Sequence, residues 1–270
     1  MKVAALVSLL AAVSFASAEV VWTFKKFQDG VEVPLEQGPD TEFQSQALKK
    51  VGEVRKRNNR MGRAADATVT SSNWCGAAVT GSGFSSVVGS WVVPTISRRS
   101  GQSSSSSPAL AQWVGIDGFS NSALIQAGTL SQLSGSTQQN IAWSEMLPAA
   151  LRQVNLAVST GDHITTNVTQ TGATSGSITI QNTSKGTTLV GTVSGGTRLS
   201  STSAEWILED FESGSSLVAF AGFPTSTFTG SAIRSGTSVS PATATLIDIV
   251  QNSELCSATL SGSTVSMKDS

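Results

Sequence analysis

The sequence has little of the material from which most catalytic sites are made. Its 270 residues include a single histidine, two cysteines and no tyrosine, and charged residues account for 13% of the chain. The histidine, His163, precedes a threonine-rich alternating run, which is typical of a strand end at the surface. The sequence therefore lacks the residues needed for a serine or cysteine triad or for a multi-histidine zinc site. No phosphate loop, dinucleotide fingerprint or calcium loop is present, and we expect no metal and no cofactor.

Beyond its first residues, the sequence also lacks a long apolar run. Residues 1–18 combine Lys2, an apolar stretch and the small-residue site Ala16-Ser17-Ala18, which together predict a secretory signal peptide. No other segment approaches the roughly 20 apolar residues of a transmembrane helix. We therefore expect a secreted, extracellular protein that does not associate with membranes.

Basic residues are scarce except in one part of the chain. Residues 19–66 hold nine of the 17 lysines and arginines and end in the run VRKRNNRMGR, whereas residues 67–270 hold seven basic and ten acidic residues. We interpret residues 19–66 as a basic propeptide, with its end at about residue 57 to 70. Its apolar residues recur at helical spacing, at Phe43, Ala47, Val51 and Val54.

This charge division suggests what the propeptide does. A basic segment is expected to lie over a site in the acidic domain as an intramolecular inhibitor, and acid would release it by neutralising the carboxylates that it contacts. A solvated linker is the alternative. A nucleic-acid partner is not expected of an exported protein, and nothing in the sequence calls for more than a monomer.

Residues 67–270 consist of short alternating runs of Ser, Thr, Gly and Val, such as SVVGSWVVPT, HITTNVTQT and GTTLVGTVSG. Alternation with a period of two, β-branched residues and glycine-rich turns predict strands, and no long helical pattern interrupts them. Many such strands favour two antiparallel sheets packed face to face, although a closed barrel has the same pattern. The prediction is one all-β domain over residues 67–270.

The sequence offers three places for covalent modification of a secreted protein. Cys75 and Cys256, near the two ends of the domain, could form a disulfide worth about 4 to 5 kcal/mol in the chain-entropy model, or remain buried thiols. Asn167 and Asn182 begin N-glycosylation tripeptides. The serine-rich stretch 97–110 contains a dibasic pair and is predicted to be an exposed loop that proteolysis could cut.

Two polar residues stand out in apolar surroundings. Gln126 lies within ALIQAG, where a primary amide is costly to bury unless its donor and acceptor are both satisfied, so it either points outward or serves a site. Glu205 lies within SAEWILEDFE, in which Glu205, Glu209 and Glu212 are spaced as on the wet face of a short helix. The pattern does not choose between that helix and a strand with a catalytic carboxylate.

Taken together, the motifs resemble the eqolisins, the glutamic peptidases of filamentous fungi, which are acid proteases insensitive to pepstatin. The shared motifs occur in the family's order along nearly the whole of residues 67–270. They are SSNW at 71–74, WVVPT at 91–95, WVGIDG at 113–118, ALIQAG at 123–128 and AEWILEDF at 204–211.

The resemblance implies a concanavalin A-like sandwich with the active site in the concave groove of one sheet. It implies a secreted acid endopeptidase for protein and peptide substrates, in which Glu205 and Gln126 form the catalytic pair and activate water directly, without a covalent intermediate. The residues expected to support the pair or line the groove are Asp117, Glu145, Trp74 and Trp113.

The chain departs from the family pattern beside the expected site. The family usually reads DAWYEWYP where this chain has IAWSEMLP at 141–148, so a groove tyrosine expected at Leu147 is missing, as is a carboxylate expected near Leu130. These departures keep an alternative open. In it, the domain is a catalytically weak or inactive lectin-like module that binds peptides or glycans in the same groove.

Overall fold

The computed structural model describes residues 20–41, 43–51, 55–56 and 67–270. The predicted signal peptide at 1–18 lies outside the described residues, as does the end of the basic run. Within the part of the chain that is described, no helix has the length and apolar character needed to span a membrane.

Strands account for nearly all of the regular structure. The five strands that precede the domain are β1 (Val21–Gln28), β2 (Val31–Val33), β3 (Gln37–Asp40), β4 (Phe43–Gln44) and β5 (Arg55–Lys56). The first half of the domain contains β6 (Ala67–Ser71), β7 (Trp74–Thr80), β8 (Phe84–Val92), β9 (Ala109–Ile116), β10 (Ile125–Ser134), β11 (Thr137–Met146), β12 (Arg152–Val154), β13 (His163–Gly172) and β14 (Ser175–Asn182).

The second half of the domain completes the same sheets. It contains β15 (Thr187–Ser194), β16 (Ser203–Glu209), β17 (Glu212–Ser213), β18 (Ser216–Leu217), β19 (Ser226–Arg234), β20 (Thr237–Val239), β21 (Thr245–Val250), β22 (Glu254–Ser261) and β23 (Thr264–Asp269). A 3₁₀ turn at Pro241–Thr243 is the one helical element among the described residues.

The strands form two large sheets that are antiparallel except where β6 pairs with β21 in parallel. The first sheet, called here the groove sheet, has the order β12-β11-β10-β9-β16-β7-β21-β6. The second, called the outer sheet, has the order β22-β23-β19-β8-β13-β14-β15. The predicted all-β sandwich of two large antiparallel sheets is confirmed.

The core lies between the two sheets. Val114 and Trp206 of the groove sheet approach Gly89 of the outer sheet so closely that a Cβ on Gly89 would lie 2.5 Å from Val114 Cγ1. Cys75 and Cys256, both buried in this core, are joined by a disulfide with their Cα atoms 6.1 Å apart. The bond ties β7 of the groove sheet to β22, where the chain crosses to the outer sheet.

The segment before the domain adds strands to both sheets. β1 extends the outer sheet beside β15, β3 pairs with β12 of the groove sheet, and β4 joins β17 and β18 in a small separate sheet. The helical spacing of Phe43, Ala47 and Val51 is therefore not realised, because the backbone of this segment bonds to the domain instead of to itself. Val54, the fourth residue of that pattern, lies outside the described residues.

The modification sites differ in their surroundings. Asn167 is exposed on β13, whereas Asn182 is fully buried and its side-chain nitrogen donates to the Ala157 carbonyl at 3.0 Å and to Asp162 at 2.7 Å. The folded domain leaves no room for a glycan on Asn182, which corrects the expectation for that residue. The dibasic pair is also held in place, since Arg99 forms an ion pair with Asp269.

Candidate active site

The groove sheet turns one face to the core and the other to a groove. On β16, Trp206 and Leu208 belong to the core between the sheets, so the alternating Glu205, Ile207 and Glu209 point toward the groove. Because this stretch is a strand, the short helix that the glutamate spacing allowed is not formed. Both faces of β16 are buried in the full chain.

Residues 43–51, called here the strap, lie across the groove. The strap bonds to the domain through its backbone, including Leu48 N–H to the Gly118 carbonyl at 3.0 Å and Ser72 N–H to the Lys49 carbonyl at 2.9 Å. The indole N–H of Trp74 donates to the Gln46 carbonyl at 2.9 Å. The strap therefore occupies the place that the sequence assigned to a peptide substrate.

Glu209 lies directly beneath the strap and accepts hydrogen bonds from both sides. The Ser45 hydroxyl donates to Glu209 Oε2 at 2.5 Å, and the Gln46 N–H donates to Oε1 at 3.1 Å. From the floor of the groove, Trp113 Nε1 donates to Oε2 at 2.8 Å. Burial is the main effect on this carboxyl and raises its pKa to about 7, against the lowering effect of these donors.

Gln126 and Glu145 form the neighbouring part of the site. They are opposite each other on β10 and β11, and Gln126 Nε2 donates to Glu145 Oε2 at 2.7 Å. Burial, together with the charge of Glu209, raises the pKa of Glu145 well above its usual range, whereas the Gln126 amide and the Ser45 N–H lower it. Ser45 of the strap thus touches both Glu145 and Glu209.

Glu205 has a different environment from Glu209. It lies in the same row of the sheet as Gln126, with Gly115 of β9 between them. A Cβ on Gly115 would lie 2.9 Å from Leu124 Cδ1 and 3.0 Å from the Trp113 ring, so these two side chains fill the space above the glycine. The direct path from Glu205 to Gln126 is closed by apolar atoms.

No donor bonds to Glu205 with standard geometry among the described residues, although both of its oxygens are buried. Burial is the main cause that raises its pKa well above the usual range, the Asp117 charge adds to the increase, and the nearby Ser203 hydroxyl opposes it. Glu205 is thereby favoured in its neutral form. The sequence prediction paired Glu205 with Gln126, but the carboxylate that Gln126 contacts is Glu145, and the carboxyl that Ser45 and Gln46 of the strap contact is Glu209.

Asp117 performs a structural task. Its oxygens accept from the N–H groups of Ser200, Ser201 and Thr202 at 2.7 to 2.9 Å, and from the Thr202 hydroxyl at 2.8 Å. Asn121 adds a further donor at 3.2 Å. Asp117 therefore fixes the turn that leads into β16, and its charge reaches Glu205 rather than the residues beneath the strap.

Two tryptophans form the groove floor beneath the strap. Trp74 and Trp113 are fully buried and meet edge to face with their ring centroids 4.9 Å apart. Leu130 and Leu147, at the positions of the missing family carboxylate and tyrosine, belong to the same apolar cluster. The departures from the family pattern thus make this groove more apolar.

Comparisons with known proteins identify the family to which the domain belongs. The family model of the "Peptidase A4 family" matches residues 72–269. Aspergillopepsin-2 of Aspergillus niger is 38% identical over 218 residues, which cover 73% of this chain and 77% of that protein. Scytalidopepsin B of Scytalidium lignicola is 36% identical over 220 residues, covering 77% and 81%. This chain belongs to the peptidase A4 family, the eqolisins.

Solved structures of eqolisins share the fold of the domain. Scytalido-glutamic peptidase with a transition state analog inhibitor matches with a TM-score of 0.66 and 34% identity, over 74% of this chain and 98% of that one. Aspergilloglutamic peptidase from Aspergillus niger matches with a TM-score of 0.59 and 38% identity, over 60% and 99%. The chain is thus a peptidase of the eqolisin family.

Sequence reasoning missed two residues of this candidate site. The sequence pattern treats Glu209 only as part of a helical spacing, although on a strand it lies four positions after Glu205 and alternation puts both on the same face. Ser45 gave no signal at all, because a serine in a proregion is unremarkable until the fold places it against two carboxyls. Among the described residues, no cluster of His, Cys, Asp or Glu is arranged to hold a metal ion.

Proposed function

We propose that the chain is the secreted zymogen of an acid endopeptidase that acts as a monomer, with Glu209 as the general base and Gln126 as its partner. The observation that carries the proposal is the position of Glu209, which is the carboxyl beneath the strap that bonds to Trp113 and lies beside Glu145. Residues 1–18 would be its signal peptide and the following segment, up to residue 66, its propeptide.

In the proposed reaction, ionised Glu209 removes a proton from a water molecule, whose oxygen attacks the carbonyl carbon of the scissile peptide. The C–N bond of the tetrahedral intermediate then breaks as Glu209 returns the proton to the leaving nitrogen. Water is the nucleophile, so no covalent intermediate forms with the protein, and no cofactor takes part.

Gln126 would stabilise the charge that develops on the carbonyl oxygen. Its amide nitrogen carries two hydrogens, of which one is used by Glu145 and the second is free for the oxyanion. A donor of this kind contributes about 2.7 to 4 kcal/mol to transition-state stabilisation. Glu145 is a positioning residue in this scheme because it holds the amide in place.

Removal of the strap would activate Glu209 as a base. The raised pKa of about 7 belongs to the covered carboxyl and is caused mainly by burial. Once the strap leaves, water re-enters the groove, and the pKa falls toward the ordinary glutamate value of about 4.3. The uncovered residue is then ionised in mild acid.

The experiment compares the two candidate glutamates in the same assay. The assay measures hydrolysis of an unfolded protein substrate at about pH 3 to 4, near the ordinary glutamate pKa. It is run on four acid-activated proteins: the wild type, Glu209→Gln, Glu205→Gln and Gln126→Ala. We expect Glu209→Gln to lose activity by about 10²- to 10⁴-fold, as removal of a general base does, and Glu205→Gln to retain most of it.

The same assay distinguishes the alternatives. An inactive Glu205→Gln enzyme beside an active Glu209→Gln enzyme would restore the sequence prediction of Glu205 as the base. A wild-type chain that binds peptides or glycans but hydrolyses nothing at any pH would instead indicate the lectin-like binding module.

A further inference from the structure

The first strand of the chain occupies an edge of the outer sheet, far along the chain from the strap. Residues 20–33, called here the pro-hairpin, comprise β1 and β2. β1 pairs with β15 in an unbroken antiparallel register of eight residues, from Val21 opposite Ser194 to Gln28 opposite Thr187. Without the pro-hairpin, β15 would be an edge strand with a row of unpaired backbone groups, which is a template for strand addition.

The domain side of this contact is shaped for an aromatic residue. Phe24 lies directly opposite Gly191, where a Cβ would come within 2.7 and 2.8 Å of the Phe24 ring. Only a glycine at that position lets the ring sit against the strand. Trp22 stacks on Phe24 with ring centroids 5.5 Å apart, and both rings pack against the core between the sheets.

Polar contacts fix the register of the pro-hairpin. The Thr23 and Thr192 hydroxyls are 2.6 Å apart, the Asp29 N–H donates to the Gly186 carbonyl at 2.8 Å, and Gln28 Nε2 donates to the Lys185 carbonyl at 2.9 Å.

The contact does not depend on ion pairs with the domain. The ion pair of the pro-hairpin, Lys25 with Glu32 at 3.2 Å, is internal to it, and none to the domain occurs among the described residues. Attachment therefore rests on backbone hydrogen bonds and apolar packing.

We propose that the edge of β15 is a strand-addition site for the pro-hairpin, and that it keeps the propeptide on the enzyme after the connection to the domain is cut. This inference rests on the proposed function, in which residues 19–66 are a propeptide. A propeptide held in this way stays close to the groove, so its strap can return after each opening. The pro-hairpin and the strap thus divide attachment and inhibition between them.

The test measures retention of the propeptide and does not use activity. The full chain carries Glu209→Gln to prevent self-digestion, and residues 57–63 are replaced by the site of a sequence-specific protease. After cutting at neutral pH, gel filtration and native mass spectrometry follow the propeptide on the domain. We expect the propeptide to co-elute with the domain and to dissociate slowly.

Two double variants lie in the same hairpin, and each replaces two apolar residues with serine. Trp22→Ser with Phe24→Ser removes the rings that face the domain, and we expect dissociation to become at least about 10-fold faster, since strand-addition affinity depends on side chains seated in such pockets. Val21→Ser with Val31→Ser alters residues that are 51% and 67% exposed, and we expect no change. Neither pair alters the domain, so its folding is not in question.

Ser45→Ala in the strap completes the comparison. Release of the propeptide by Ser45→Ala alone, or equal retention by both hairpin variants, would overturn the proposal. Because retention is read in the Glu209→Gln chain, a failure here leaves the peptidase proposal untouched, and a failed activity assay does not change this result.

Discussion

The two ends of β16 carry the same residue in contrasting environments. Glu205 and Glu209 lie on one face of one strand, and both are fully buried. Glu209 accepts hydrogen bonds from Ser45, Gln46 and Trp113 beneath the strap. Glu205 has no such donors and is separated from Gln126 by Leu124 and Trp113.

This contrast teaches that burial alone does not make a catalytic carboxylate. Burial raises the pKa of both residues, but Glu209 has donors from both the strap and Trp113 that favour its ionised form, whereas Glu205 has only the nearby Ser203 hydroxyl. Burial favours the neutral form of Glu205, whereas Glu209 is the carboxyl that we propose as the base.

The largest effect concerns the dependence of stability on pH. A carboxyl whose pKa is raised in the folded state keeps its proton where the unfolded chain has lost it, so its contribution to stability is complete below about pH 4.5 and is lost as pH rises through the folded value. For Glu209, with its pKa at about 7, the loss amounts to about 3 kcal/mol at about 1.4 kcal/mol per pKa unit.

Urea unfolding of the full chain at about pH 4.5 and pH 7 measures this loss. The wild type should be less stable at pH 7 than at about pH 4.5. The free energy of unfolding should fall by a smaller amount in Glu209→Gln and in Glu205→Gln over the same change of pH. Asp210, whose pKa burial raises to about 8, leaves a residual slope in every variant. Glu254→Gln, at an exposed position, is the control. Equal pH slopes in wild type and both variants would contradict the prediction.

The second effect separates two tryptophans on the groove face. Trp113 donates to Glu209, whereas the indole nitrogen of buried Trp143 has no hydrogen-bond partner among the described residues. Trp113→Phe removes a donor to the carboxylate, so the pKa of Glu209 rises and the acid limb of the activity profile moves to higher pH. A hydrogen bond to a charged group is worth about 1.5 to 3 kcal/mol, which corresponds to at least about a 10-fold loss in acid.

Trp143→Phe makes the same change of volume on the same face and should leave the profile in place. The activity of both acid-activated variants is measured from about pH 2 to 6, around the ordinary glutamate pKa. If the two substitutions shift the profile equally, the Trp113 hydrogen bond does not tune the catalytic group.

The smallest effect concerns the charged part of the strap. Lys49 pairs with Glu212, but its side chain is 43% exposed, and such a pair is worth at most about 1 kcal/mol. Lys49→Ala should therefore raise the activity of the uncut chain at near-neutral pH only several-fold at most. Ser45→Ala removes a buried hydrogen bond to Glu209, so it should raise the activity of the uncut chain more than Lys49→Ala does. The reverse order would mean that the lysine, and not the buried serine, holds the strap.

Much of the fold and part of the site were predictable. Period-two alternation predicted the strands, and the ordered eqolisin motifs predicted the family. They also singled out Gln126, which the structure places against Glu145. The sequence predicts a basic segment over the site, but it does not predict that the strap is extended. The spacing of Phe43, Ala47 and Val51 is compatible with a helix, and such a spacing can also arise by chance. Its conformation is decided by the hydrogen-bonding groups that the groove offers.

The all-β sandwich could be predicted from the sequence, because alternation and turn residues act locally and leave their pattern in the chain, and the ordered motifs marked the resemblance to the eqolisins. Which glutamate faces the strap depends on tertiary contacts. Glu205 and Glu209 have the same parity on β16 and similar neighbours in the chain, so no local pattern separates them. What separates them is the set of side chains that other strands bring above each one: Leu124 and the Trp113 ring beside Glu205, and the donors of Ser45, Gln46 and Trp113 around Glu209.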